Sequence, residues 1–166
     1  TNVDKASDGT DPTAVDGTDA RNDGTARLFT ETMLKNVMQK AYKSGGNPSI
    51  LMVGPYNKTV VSTFAGIAAQ RFQAPSDGPT TIIGAADVYM SDFGSLTVVP
   101  NRFSRERDAW CLDPEYASVA TLRPIQAVDL AKTGDADKKM LISESGVLMK
   151  NEAAHGLIAD LTIAAA

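Results

Sequence analysis

The chain has 166 residues, 43% of them hydrophobic and 22% charged, with a formal net charge of −4, one cysteine and one histidine. These values fit one globular domain, which at this size buries roughly 70% of its unfolded surface. They exclude a membrane-crossing helix, an internal disulfide framework and the positive surplus of a dedicated nucleic-acid binder.

The charge is laid unevenly along the chain. Residues 1–25 hold six aspartates against Lys5 and Arg21, so this segment carries −4 by itself, and from Ala26 onward 14 acidic residues balance 14 basic ones. A neutral body packs against copies of itself without long-range repulsion. Residues 1–26 are rich in Asp, Gly, Thr and Ala and nearly devoid of large apolar side chains. Such a stretch cannot bury enough surface to offset its ordering entropy, so it reads as a flexible linker to a body over 27–166. Asp-Gly-Thr recurs in it at 8–10, 16–18 and 23–25. A calcium loop would need alternating Asp-x-Asp-x-Asp-Gly, and that order is missing. The first residue, Thr1, is not Met, which leads us to expect a processed or excised piece.

The body opens with a predicted helix over 31–43. Met33, Leu34, Val37, Met38, Ala41 and Tyr42 share a face at helical spacing, Thr30 stands at the N-cap, and Gly45-Gly46 stops it. A short strand, 49–53, ends at Gly54-Pro55. A second amphipathic helix over 57–72 carries Val60, Val61, Phe64, Ile67, Ala68 and Phe72. From residue 80 the period becomes that of strands: 81–83, 87–90, a turn at Asp92-Phe93-Gly94, 95–99, then 109–112, 117–123, 125–131, 139–149 and 157–163. Two amphipathic helices and a mainly antiparallel sheet make an α+β fold.

Fragments that imitate chemistry lack their partners. Asp92-Phe93-Gly94 matches the magnesium-binding tripeptide of protein kinases, but no glycine-rich loop or His-Arg-Asp loop accompanies it. Lys58-Thr59 opens a helix as in a phosphate loop, yet Asn57 stands where the glycine before the lysine is required. Glu152 and His155 have the i, i+3 spacing of bundle metal sites, with no second copy. Cys111 lies in an apolar run with no basic neighbour to activate it. The sequence therefore assigns no catalytic, cofactor or metal residue. One polar cluster remains in "NRFSRERDAW": Arg102, Arg105 and Arg107, interleaved with Glu106 and Asp108. Arginine makes planar, bidentate bonds to carboxylate and phosphate, so this loop is a candidate contact between subunits or with DNA. A solvated loop that pairs its own charges is the blander reading, and its net charge of +1 favours it.

The segments "GGNPSILMVGPYNKTVVSTFAG", "DVYMSDFGSLTVVPNRFSRERDAWCLDPEYASVATLRP" and "LAKTGDADKKMLI…NEAAHGLIADLT" closely resemble a family of tailed-bacteriophage major head proteins, assigned to the Hong Kong 97-type capsid fold. The resemblance runs from about Leu28 to Thr162. It implies a structural subunit of an icosahedral capsid around double-stranded DNA, found in the virion and assembled in the host cytoplasm. It further implies partners that are copies of the chain in pentamers and hexamers, non-specific contact with packaged DNA, no membrane, and no catalytic residues to carry over. In that family an additional N-terminal half supplies an arm, a long loop and a spine helix. The chain would then be the C-terminal portion, holding the axial domain and returning peripheral strands. Cys111 and "SESGV" depart from the more aromatic residues expected there. A decoration module that binds a shell is the alternative.

Overall fold

The computed structural model describes residues 2–13, 18–64, 87–132 and 134–164. Two compact units emerge: residues 1–114 with 152–166, and residues 115–151.

The first unit is built on a six-stranded sheet in the order β1-β8-β5-β2-β4-β3, from β1 (Asn2–Asp4), β2 (Ile50–Val53), β3 (Val88–Ser91), β4 (Gly94–Pro100), β5 (Ala109–Leu112) and β8 (Gly156–Ile158). The pairs β3–β4, β2–β5 and β5–β8 are antiparallel, whereas β1–β8 and β2–β4 are parallel. Antiparallel pairs predominate, as the strand signals suggested, but the two parallel pairs make the sheet mixed. Parallel neighbours are joined by distant crossovers, and local patterning carries no trace of them.

Helix α1 (Glu31–Lys43) begins where its cap chemistry placed it: Thr30 Oγ1 accepts from Met33 N at 3.4 Å, and Glu31 pairs with Lys35 at 2.8 Å. Its buried stripe of Leu34, Val37, Met38 and Ala41 meets the alternate sheet residues Leu51, Val53, Leu96, Val98, Cys111 and Ile158. Helix α2 (Pro55–Val61) starts two residues earlier than expected, with Pro at its first position, where the missing N–H is harmless. It adds Val61 to the core, and Phe64 just beyond it stacks edge-on against Phe29 at 5.3 Å. The expected helix beyond Phe64 and the strand at 81–83 lie outside the described residues. Asp92 and Phe93 form the two-residue turn of the β3–β4 hairpin. Gly94 has φ +132°, a conformation that favours glycine, and the Phe93 ring rests on Tyr42 at 5.5 Å.

The described residues of the 1–26 segment pack against the rest of their unit, which a free linker would not do. Residues 2–4 form β1 on the open side of β8, Thr10 bridges Asn22, and Ala6, Gly9 and Gly24 are buried. The composition argument fails because apolar burial is not what holds the segment; a network of charged hydrogen bonds does. At the other end, the expected strand over 157–163 is observed only as Gly156–Ile158.

The second unit is a two-stranded antiparallel ribbon, β6 (Ala117–Asp129) with β7 (Lys139–Met149). The expected break at Arg123-Pro124 does not end the strand. Instead the register shifts on both sides of Arg123, which accommodates a proline that has no N–H for the ladder.

Candidate functional site

Two of the three Asp-Gly-Thr repeats come together around a residue that no sequence motif marked. Asp160 follows β8 with φ +62°, a left-handed conformation that Asp tolerates better than most residues, and its side chain is fully buried. Its carboxylate accepts from Arg21 Nη1 at 3.0 Å and Nη2 at 2.7 Å, and from the backbone N–H groups of Ala6 at 3.0 Å and Gly24 at 2.9 Å. Burial pushes the Asp160 carboxyl upward, but these donors outweigh it and hold the group well below the usual carboxylate range. The glycines of the repeats permit the approach: a Cβ on Gly9 would stand 2.7 Å from Asp160 Oδ2. Asp8 closes the second link, accepting from Thr25 N at 2.9 Å and Thr25 Oγ1 at 2.6 Å. Arg27 completes the frame on Asp4 and on the Ala159 carbonyl, both at 2.9 Å. The carboxylates that suggested calcium are thus turned onto N–H, O–H and guanidinium donors. Among the described residues, no three His, Cys, Asp or Glu side chains could together hold a metal ion.

The arginine loop divides. Arg105 forms an ion pair with Asp23 and approaches Asp108 at 3.6 Å. Arg107 reaches Asp23 at 3.3 Å and donates to the Gly24 carbonyl at 2.6 Å. Both therefore fasten the N-terminal segment within the chain. Arg102 does not join them: it is exposed and makes no ion pair or hydrogen bond among the described residues. Asp108 is buried beneath this cluster, and that burial raises its carboxyl above the usual value. Beside Arg102 stands Phe103, 91% exposed, which sequence patterning passed over because a single aromatic residue in a polar loop has no period.

The remaining motif residues have structural partners. Lys58 Nζ points to Asp87 at 3.2 Å, and Asn57 Nδ2 donates to the Glu106 carbonyl at 2.8 Å. His155 is buried, its Nδ1 accepting from Asp113 N at 3.1 Å. Cys111 is fully buried, and desolvation pushes its thiol up to about 12. Among the described residues, no helix is long and apolar enough to cross a membrane.

In the ribbon unit both faces carry apolar side chains to water. Val119, Leu122, Ile125, Leu141 and Val147 are 70 to 80% exposed. The flanking charges cancel in pairs: Arg123–Glu144 at 2.9 Å, Asp129–Lys139 at 3.3 Å and Lys132–Asp137 at 2.6 Å.

Comparison with known proteins places these features. A family model described as SU10 major capsid protein matches residues 1–162. No curated protein sequence matches the chain. Among solved structures, it is similar to the crystal structure of a virus-like particle from Pyrococcus furiosus, at 14% identity and a TM-score of 0.42. That similarity covers 81% of this chain, which spans about half, 55%, of the other.

Proposed function

The chain belongs to the SU10 major capsid protein family, and from that premise we propose that it is the shell-forming body of a tailed-phage capsid subunit, which associates with copies of itself around double-stranded DNA. The observation that carries this reading is the β6–β7 ribbon. A two-stranded ribbon is marginal in water by itself, and contiguous apolar surface of this kind marks a face that other protein covers. Its paired charges leave it neutral, which suits packing among copies rather than along a polyanion. The family match over residues 1–162 favours a shell subunit over a decoration module. A Hong Kong 97-like arrangement, with pentamers and hexamers in the virion and assembly in the host cytoplasm, is the finer form of this proposal.

The test is expression of the capsid gene product that carries this chain, followed by sedimentation velocity and electron microscopy. Capsomers or closed shells are the expected result. A protein that stays monomeric at high concentration would refute the reading.

A further inference from the structure

The loop between β4 and β5, residues 101–108, is held by hydrogen bonds and ion pairs except at its outward face. Asn101 Oδ1 accepts from Phe103 N at 2.9 Å, Asn101 Nδ2 reaches Met52 Sδ at 3.1 Å, and Ser104 N donates to the Asn101 carbonyl at 3.3 Å. Asp108 N closes on the Arg105 carbonyl at 3.2 Å, and Asp23 holds Arg105 and Arg107. What projects is Arg102 beside the almost wholly bare Phe103 ring. Aromatic and arginine anchors dominate protein interfaces, and a fixed loop loses little freedom when it docks.

The same chain carries a surface of the opposite kind. Among the described residues, strand β3 is the outermost strand of the six-stranded sheet. Its alternate residues Val88 and Met90 are 54% and 81% exposed on one side of the strand. Carboxylates stand at both ends of this strip: Asp87, its side chain 81% exposed although paired with Lys58, and Asp92 in the hairpin turn, also exposed. An apolar strip between two acids is the complement of a phenyl ring beside a guanidinium. We infer that the Arg102–Phe103 tip of one copy docks on the Val88–Met90 strip of a second copy, with Arg102 paired to Asp92. This rests on the capsid reading above and names one of its contacts. DNA is the weaker partner for the tip, because Asp23 already neutralises the other two arginines and one guanidinium makes a small phosphate footprint.

The experiment uses the capsid protein that carries this chain, with Arg102→Glu and Asp92→Arg made separately and together, and Phe103→Ala as a fourth variant. Association is read by sedimentation velocity, shell formation by electron microscopy, and folding by thermal unfolding. Each single change is expected to weaken association at least about tenfold without moving the unfolding midpoint by more than a few degrees. The double reversal is expected to recover most of the loss. Normal association in Phe103→Ala and Arg102→Glu overturns this contact and leaves the capsid reading standing; a parent protein that never associates overturns both. Single losses with no recovery in the double variant overturn the Arg102–Asp92 pairing. If Arg102→Glu assembles normally and loses only retention of random duplex DNA, the tip serves DNA and the contact between copies is wrong.

Discussion

Asp160 ties three separate parts of the chain together, accepting from Ala6, Arg21 and Gly24. Neutralising it to an amide turns one of the two acceptor oxygens into a donor, so either the Ala6 or the Gly24 N–H loses its partner and the Arg21 fork loses its counter-charge. Asp160→Asn keeps the shape and tolerates the left-handed backbone, so its effect isolates the charge; a loss of about 3 kcal/mol is expected in urea unfolding. The sign of the pH dependence follows from the depressed carboxyl. The stabilisation is fully present above the unfolded-state value near 4, and it is lost as pH falls through the lower folded-state value. Acid unfolding of Asp160→Asn should therefore be shallower than that of the parent. Asp108, raised by burial, works in the other direction and softens the acid limb. Cys111, buried and with its thiol near 12, should react with thiol reagents only upon unfolding. None of the Asp160 network is legible in the sequence, because its members lie up to 154 residues apart and acidic Gly-rich stretches read as solvated. The internal use of Arg105 was hidden for the same reason, since its partner Asp23 lies in the segment taken for a linker. Arg105→Glu should therefore loosen the N-terminal segment before it touches assembly.

At the scale of elements, legibility follows the range of the forces. Helix α1 was read correctly from residue 31 to 43 because capping, charge placement and the apolar stripe are all local. Strands β5 and β7 were read to the residue because apolar runs with turn residues at both ends define them. The contacts between elements leave no such local mark. Gly156 shows how tight one of them is: a Cβ there would collide with Val37 Cγ1 of α1. Gly156→Ala should accordingly lower stability by about 2 kcal/mol through overpacking, measured by thermal unfolding, although glycine elsewhere in a strand is usually improved by alanine. In the ribbon, Val119→Thr with Val147→Thr replaces a directly opposed exposed pair. That pair should leave the unfolding of the isolated chain within about 0.5 kcal/mol of the parent and yet impair shell formation.

For the whole molecule, the N-terminal segment changes what truncation means. A tether could be removed at little cost, whereas deleting residues 1–26 here strips β1 from β8 and leaves Asp160 buried without its donors. The expected result is a fall of well over 5 °C in the unfolding midpoint, at roughly 4 °C or more per kcal/mol. Early release of this segment in limited proteolysis, with the rest still folded, would contradict it.

The pairing of Asn2–Asp4 with Gly156–Ile158 also sets a clock on synthesis. The ribosome makes these strands about 150 residues apart, so at roughly 5–20 residues per second the first waits some 8–30 s for its neighbour. Until then the edge of β5 that β8 will occupy is open, and Asn2–Asp4 have no strand to pair with. An unpaired strand edge of this kind is a template for pairing with another chain, so the order of synthesis leaves it open for that interval. Closure of the sheet at β1 therefore requires that translation has passed β8, and a chain cut short before Gly156 leaves both β1 and the β5 edge unpaired.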